Sequence, residues 1–277
     1  MSPKDLVVFL EQECRGRDRR LAFAAELAKR WQAHLIATFV TRPLALDPYA
    51  GFAVGAGLSA MLEGHRAKKT AALERARRDF DRLTDRRSFT AEWRMSDDEP
   101  YEALMLHARH ADLAILGPPR RQQASTTVLG LSEQMIFASG RPCLLLPHEW
   151  PTERIAQRIV VGWNGSREAA RAIADALPLL SAAQRVDLVV VPEARGAWGD
   201  EPGADMAAHL ARHGVPVNLE RQPDEEAGTA LLARCAAIDA DLLVMGAKGR
   251  ADVGEFLFGG ATRAVLGAVQ VPLLLSG

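Results

Sequence analysis

The feature of this sequence that most constrains its fold is an internal repeat. Residues 112–117 (DLAILG) correspond to residues 241–246 (DLLVMG) at an offset of 129 positions. Gly130 and Gly259 keep the same offset. Similarity at a fixed spacing indicates a structural unit that occurs more than once. We therefore predict that the 277 residues of the chain contain two copies of one small domain, which agrees with the length expected for two domains.

The first copy is longer than the second. Residues 6–8 (LVV) correspond to residues 159–161 (IVV) at an offset of 153, and 153 − 129 leaves 24 additional residues in the first copy. We place this insertion at residues 43–64, which contain both glycine and proline. The predicted domains are residues 1–150 and residues 151–277.

Short apolar segments alternate with amphipathic segments in each copy. In the second copy, Ala170, Ile173 and Leu177 recur at helical spacing, and Ser166 stands where the N-cap of that helix belongs. Such alternation with short connections is typical of a parallel sheet covered by helices on both faces. We predict two tandem, doubly wound, parallel five-stranded sheets of the α/β class, joined by a linker at residues 149–154. The strands predicted in the second copy are residues 159–161, 186–191, 215–219, 242–245 and 273–275, and the further helices are residues 205–213, 227–237 and 261–268.

The composition excludes several classes of protein. Lysine and arginine number 34 and aspartate and glutamate number 35, so the net charge is −1. This balance provides no electrostatic footprint for nucleic acid or for an anionic membrane. The longest apolar stretch, residues 50–62, has 13 residues, whereas a transmembrane helix needs about 20. Cys14, Cys143 and Cys235 have no C-x-x-C spacing, so we expect reduced thiols in a cytoplasmic protein without a membrane segment or a nucleic-acid partner.

A glycine-rich loop follows the fourth predicted strand of the second copy. Gly246 and Gly249 are followed by nine residues and then by Gly259, after which residues 260–262 open a helix. Glycines allow backbone N–H groups to converge on phosphate oxygens, and a helix N-terminus favours negative charge. Doubly wound sheets bind their ligands at the carboxyl ends of the strands. This loop is therefore competent to bind a phosphate.

The spacing of these glycines resembles that of the universal stress protein family. Its nucleotide-binding members carry Gly-x-x-Gly, nine residues and then Gly-Ser or Gly-Thr, and this chain has Gly260 in place of the hydroxyl residue. The turn at residues 162–166 is similar to a family loop in which an aspartate usually contacts the adenine, with Asn164 at that position. Val191 matches a residue that lines the adenosine pocket. Trp163 is predicted either to stack on a base or to be buried against the neighbouring domain. The nucleotide-binding residues predicted in this way are Trp163, Asn164, Val191, Gly246, Gly249, Arg250, Gly259, Gly260, Ala261 and Thr262.

The resemblance covers both halves and implies a tandem universal stress protein with a Rossmann-like fold of the adenine nucleotide alpha hydrolase type. It further implies that the second copy binds ATP or another adenine nucleotide, with or without Mg²⁺, as a sensor in a stress response. Two alternatives stay open: a ligand-free interaction scaffold in which the glycines only form tight turns, and a slow ATP hydrolase. No sequence signature supplies a general base, so we predict no catalytic residues and no efficient enzyme.

The corresponding loop of the first copy departs from this pattern. It reads Gly117-Pro-Pro-Arg120 and then, after nine residues, Gly130-Leu131. The prolines remove N–H donors, and arginine and leucine replace the second glycine and the hydroxyl residue. We expect no nucleotide in the first copy, and hence one nucleotide per chain.

Both copies end in an apolar strand, residues 144–146 and residues 273–275. In the family that the chain resembles, the last strand commonly pairs across a dimer, and an exposed strand edge invites pairing. We therefore expect the two copies to pair as an internal pseudo-dimer, with a further homodimer left open.

The remaining candidates favour ordinary structural roles. His209 and His213 have the i, i+4 spacing of two metal ligands, but the sequence places no third ligand beside them, so we predict no metal site. Cys143 and Cys235 lie in apolar segments and are predicted to be buried, inert thiols, which leaves Cys14 as the one candidate redox thiol. Residues 65–87 are predicted to form a solvated amphipathic helix.

Overall fold

The structure is a computed structural model that describes residues 2–12, 16–41, 56–85, 88–97, 101–118, 130–150, 154–191, 201–222, 226–247, 249–250 and 257–277. The elements of the first half are β1 (Asp5–Glu11), α1 (Arg17–Trp31), β2 (His34–Val40), α2 (Ala56–Thr84), β3 (Ala91–Ser96), α3 (Tyr101–Arg109), β4 (Leu113–Leu116), α4 (Leu131–Ala138) and β5 (Cys143–Leu145). Those of the second half are β6 (Arg158–Trp163), α5 (Arg167–Leu180), β7 (Arg185–Val190), α6 (Ala204–Arg212), β8 (Val217–Arg221), α7 (Ala227–Ala237), β9 (Leu242–Gly246), β10 (Gly249–Arg250), β11 (Leu257–Phe258), α8 (Gly260–Ala268) and β12 (Leu273–Ser276).

Ten of these strands form one continuous sheet in the order β3-β2-β1-β4-β5-β12-β9-β6-β7-β8. Within each half, neighbouring strands are parallel, as predicted. The two halves meet where β5 and β12 pair antiparallel, with Leu145 opposite Leu273 and Cys143 opposite Leu275. The predicted pairing of the two last strands is confirmed, and it merges the two five-stranded sheets into one.

Helices cover both faces of the sheet and enclose two layers of core. One layer holds apolar side chains from α1, α2, α5 and α6, and the other holds those from α3, α4, α7 and α8. The central strands are therefore buried on both sides, which explains why they read as nearly continuous apolar runs in the sequence.

A repeated aspartate ties the first strand of each half to the fourth. Asp112 accepts hydrogen bonds from the backbone N–H groups of Lys4 (2.7 Å) and Asp5 (3.1 Å). Asp241 accepts equivalent bonds from Gln157 (2.9 and 3.0 Å) and Arg158 (2.9 Å). These backbone donors lie at the beginning of β1 and β6, so the repeat in the sequence preserves a contact that aligns two strands.

The boundaries predicted for the strands and helices of the second half lie within two residues of the observed ones. Helix α7 has the predicted bounds, and the Ser166 side chain caps α5 by accepting a hydrogen bond from the Ala169 N–H at 3.2 Å. Strand β8 begins at Val217 rather than at Val215, because Pro216 has no N–H to donate to the neighbouring strand.

The insertion of the first copy lengthens a helix. Helix α2 has 29 residues, whereas its counterpart α6 has nine. Of the segment predicted to carry the insertion, residues 56–64 are helical and residues 43–55 lie outside the described part of the chain. Helix α2 includes most of the amphipathic helix predicted at residues 65–87. No helix in the described ranges is long and apolar enough to cross a membrane.

One buried hydroxyl in the first half gives a prediction about stability. Thr38 on β2 is fully buried, and its Oγ1 has no hydrogen-bond partner in the part of the chain that the structure describes. Since burying an unsatisfied hydroxyl is unfavourable, Thr38→Val should raise the free energy of unfolding by about 1 kcal/mol. Urea denaturation measures this change.

Thr41→Val is the control for that experiment. The Thr41 hydroxyl is hydrogen-bonded to the Ser96 carbonyl (3.3 Å) and to Asp97 Oδ1 (2.8 Å), so its removal should lower stability. A loss of stability in Thr38→Val as large as that in Thr41→Val would contradict the assignment of Thr38 as unsatisfied.

Candidate functional site

The candidate site is a cavity of about 60 Å³ in the second half, at the carboxyl ends of β6, β7 and β9. This is the position at which doubly wound sheets bind ligands. Five of the ten predicted site residues line it, and the apolar side chains of β7, β9 and α7 complete its walls. The described lining residues are Gly162, Trp163, Asn164, Ala169, Val189, Val191, Ala227, Leu231, Met245, Gly246 and Ala261.

The cavity exists because β6 carries a glycine beside it. A Cβ atom at Gly162 would lie 3.1 Å from Leu231 Cδ1 and 3.5 Å from Met245 Cβ. Any larger side chain at this position would therefore extend into the space that these two residues enclose. Gly162 is not among the predicted binding residues, although the first copy has a phenylalanine, Phe9, at the equivalent position of the sequence.

The turn after β6 presents Asn164 at the rim of the cavity. Its Oδ1 accepts hydrogen bonds from the Ser166 backbone N–H (3.2 Å) and from Ser166 Oγ (2.6 Å). Gly165 has a φ of 68°, a left-handed conformation that favours glycine and closes the turn. The Asn164 oxygen thus holds the turn together, which leaves its Nδ2 group to donate to a ligand.

Gly246 serves the packing of the fold as well as lining the cavity. A Cβ atom there would lie 2.5 Å from the backbone N of Ala169 and 2.6 Å from the carbonyl carbon of Glu168. The first turn of α5 therefore passes directly over the end of β9, and only glycine permits this approach.

The loop between β9 and α8 contains a short hairpin that the sequence did not predict. Gly249 and Arg250 form β10, which pairs antiparallel with Phe258 and Leu257 of β11. The hairpin brings the chain from the end of β9 to the beginning of α8. Of the glycines in the predicted phosphate loop, Gly249 begins the hairpin and Gly259 directly follows it.

Among the residues that the structure describes, no side chain caps the N-terminus of α8. Its N-cap residue, Gly259, has φ −60° and ψ 160°, a conformation that any residue can adopt. Gly260 is exposed, Ala261 lines the cavity, and Thr262 is buried at 3 % exposure. Because the first N–H groups of a helix have no acceptor within the helix, α8 directs unsatisfied donors and a positive dipole end towards the site.

A carboxylate stands at the beginning of α7, close to the first turn of α8. Glu226 caps α7, next to the lining residue Ala227, by accepting hydrogen bonds from the Thr229 N–H (3.0 Å) and Oγ1 (3.2 Å). A Cβ atom at Gly228 would lie 3.1 Å from both Glu226 Oε2 and the Ala261 carbonyl oxygen. The bond from the Thr229 N–H lowers the pKa of Glu226 below its usual value, so this group is ionised at neutral pH. Its negative charge therefore offsets part of the attraction of the α8 N-terminus for phosphate.

The other sequence candidates lie away from this cavity. The rings of His209 and His213 are 4.7 Å apart on the exposed side of α6. No group of three His, Cys, Asp or Glu residues able to hold a metal ion occurs within the described ranges. Cys143 and Cys235 are buried, as predicted, and burial raises the pKa of both thiols to about 12. Cys14 lies outside the described residues.

Comparison with known proteins supports the fold and the family of the second half. Residues 156–276 match the model of the universal stress protein family. The chain is similar to a universal stress protein from Archaeoglobus fulgidus DSM 4304, with a TM-score of 0.69 and 18% identity over 98% of this chain and 97% of that chain. It is also similar to a putative universal stress protein from Pseudomonas aeruginosa UCBPP-PA14, with a TM-score of 0.57 and 15% identity over 99% of this chain and 93% of that chain. A search of curated proteins finds no match.

Proposed function

We propose that the second half of the chain, in which residues 156–276 match the model of the universal stress protein family, binds an adenine nucleotide as a sensor in a stress response. The base occupies the cavity at the ends of β6, β7 and β9, and the phosphates lie at the N-terminus of α8. The observation that carries this proposal is the contact between these two features: Ala261 both lines the cavity and belongs to the uncapped first turn of α8.

The walls of the cavity suit a purine base. Val189, Leu231 and Met245 provide an apolar surface, and a planar base gains free energy from burial against such side chains. The Trp163 side chain packs against the other core layer, so the stacking on a base that the sequence suggested is not part of this proposal. The Asn164 Nδ2 group supplies a donor for a ring nitrogen. A nucleoside is larger than 60 Å³, so binding requires the rim of the cavity to widen.

The α8 N-terminus provides backbone donors for phosphate oxygens, as at other anion-binding helix ends. Ionised Glu226, close to the first turn of α8, opposes this attraction. In the proposed complex the phosphate chain extends from α8 towards Gly249 and Gly259, where Mg²⁺ can accompany it.

Isothermal titration calorimetry with ATP, with and without Mg²⁺, tests the proposal. We expect one nucleotide per chain, because the phosphate loop of the first half has Pro118 and Pro119 where backbone donors are needed. Adenosine should bind more weakly than ATP, since it cannot reach α8. A stoichiometry of two per chain would contradict the assignment to one half.

A ligand-free interaction scaffold is the second candidate function. The observation in its favour is Gly246, which the packing of α5 requires irrespective of any ligand. The scaffold predicts no heat of binding with ATP, ADP or AMP for protein freed of nucleotide by dialysis. The same titration therefore separates the two functions.

A further inference from the structure

The two halves differ at one equivalent position beside the cavity. In the first half Leu6 lies opposite Leu113, and in the second half Ile159 lies opposite Leu242. Counting three residues along β1 and β6 from these pairs leads to Phe9 and Gly162. The strand register thus establishes that Phe9 occupies in the first half the position that Gly162 occupies in the second.

The ring of Phe9 fills the first-half counterpart of the cavity. Phe9 is fully buried, in the same core layer as Leu116 of β4 and Leu131 of α4. Its partner on β2 is Thr38, whereas the partner of Gly162 on β7 is Val189. Both Phe9 and Thr38 have 0 % exposure. The first half is therefore sealed at the point where the second half is open.

The beginning of α4 is also occupied by the chain itself. Glu133 lies at the third position of α4, as Thr262 does in α8. A Cβ atom at the N-cap residue Gly130 would lie only 2.7 Å from Glu133 Oε2, so this carboxylate is folded back over the N-cap. Glu133 is 7 % exposed. A carboxylate side chain of the protein thus stands at this helix end, whereas α8 has Thr262 at the equivalent position.

We infer that the residue at this strand position determines whether a half holds a ligand: Gly162 opens the site of the second half, and Phe9 closes that of the first. The first half is a self-filled site, in which a phenyl ring takes the place of a planar ligand and a carboxylate takes the place of its anionic group. The inference rests on the proposed function only for the identity of the ligand. The cavity beside Gly162 and the buried ring of Phe9 are features of the fold and do not depend on which ligand binds.

The variant Gly162→Phe tests the open site. The adenosine affinity of the folded variant should fall at least tenfold, because the new ring occupies the cavity, and circular dichroism identifies the folded protein. Gly267→Phe is the matched control: Gly267 is an exposed residue of α8, and a Cβ there has no atom within 4 Å. It should bind adenosine as the unmodified protein does. Affinity in Gly162→Phe within threefold of the unmodified protein would overturn the inference.

The variant Phe9→Ala tests the closed site and does not depend on adenosine. Indole, a planar aromatic probe, should bind to folded Phe9→Ala with one more molecule per chain than to the unmodified protein. Phe9→Leu, which retains most of the side-chain volume, should bind no additional indole. Folded Phe9→Ala without the additional indole would overturn the inference. If indole binds as expected but adenosine does not bind the unmodified protein, the nucleotide proposal fails and the inference stands.

Discussion

Gly246→Ala is expected to destabilise the second half by about 3 kcal/mol, at the upper end of the usual cost of overpacking a core. The added methyl group would lie 2.5 Å from the backbone N of Ala169 and 2.6 Å from the carbonyl carbon of Glu168. Backbone atoms in the first turn of a helix cannot rotate away as the end of a side chain can. The helix α5 would have to shift from β9, which it contacts along its length. Urea or thermal denaturation measures the loss.

Gly267→Ala is the control for the Gly246 substitution. Gly267 lies within α8 with open space around its Cβ position, and alanine is favoured over glycine in a helix by about 0.5–1 kcal/mol. This variant should therefore be as stable as the unmodified protein or more stable. If both alanine variants unfold at the same denaturant concentration, the close approach of α5 to β9 is not a determinant of stability.

Gly259→Val is expected to weaken ATP binding at least tenfold, a change of about 1.4 kcal/mol. The isopropyl group would stand beside the unsatisfied N–H groups of α8 and would prevent phosphate oxygens from reaching them. The fold should tolerate the substitution, because the backbone of Gly259 has φ −60° and ψ 160°. Gly249→Val, on the other side of the hairpin, should weaken binding to a similar extent. Calorimetric affinity and melting temperature are measured on the same samples.

The two possible roles of these glycines predict different results. If they serve only the backbone, substitution lowers the melting temperature and leaves the affinity of the folded protein intact. Equal affinity with a lowered melting temperature would therefore reject the binding role. Gly267→Val, at the far end of α8, controls for the effect of a β-branched residue in this helix. Arg120→Gly should not create a site in the first half, since Pro118, Pro119 and Leu131 remain.

The sequence was sufficient to predict the features that depend on local pattern. The alternation of apolar and amphipathic segments predicted the doubly wound parallel fold, and helix α7 has the bounds expected from its pattern. The Ser166 cap was predictable because the capping residue and its helix adjoin one another in the chain. The pairing of β5 with β12 was predictable for another reason: both copies end in an apolar strand with an unpaired edge, and the repeat provides the matching edge within one chain.

The tertiary structure decided which glycines belong to the fold and which to the candidate site. Gly246 stands in the glycine pattern of the phosphate loop, yet its spatial neighbour is Ala169, 77 positions earlier in the chain. Gly162 and Phe9 look like ordinary strand residues in the sequence, and only the strand register shows that they are equivalent. The internal repeat and the spacing of the glycines show only which residue types follow one another along the chain. Whether a side chain leaves a cavity or fills it depends on the side chains that other strands and helices bring against it, and these are distant in sequence.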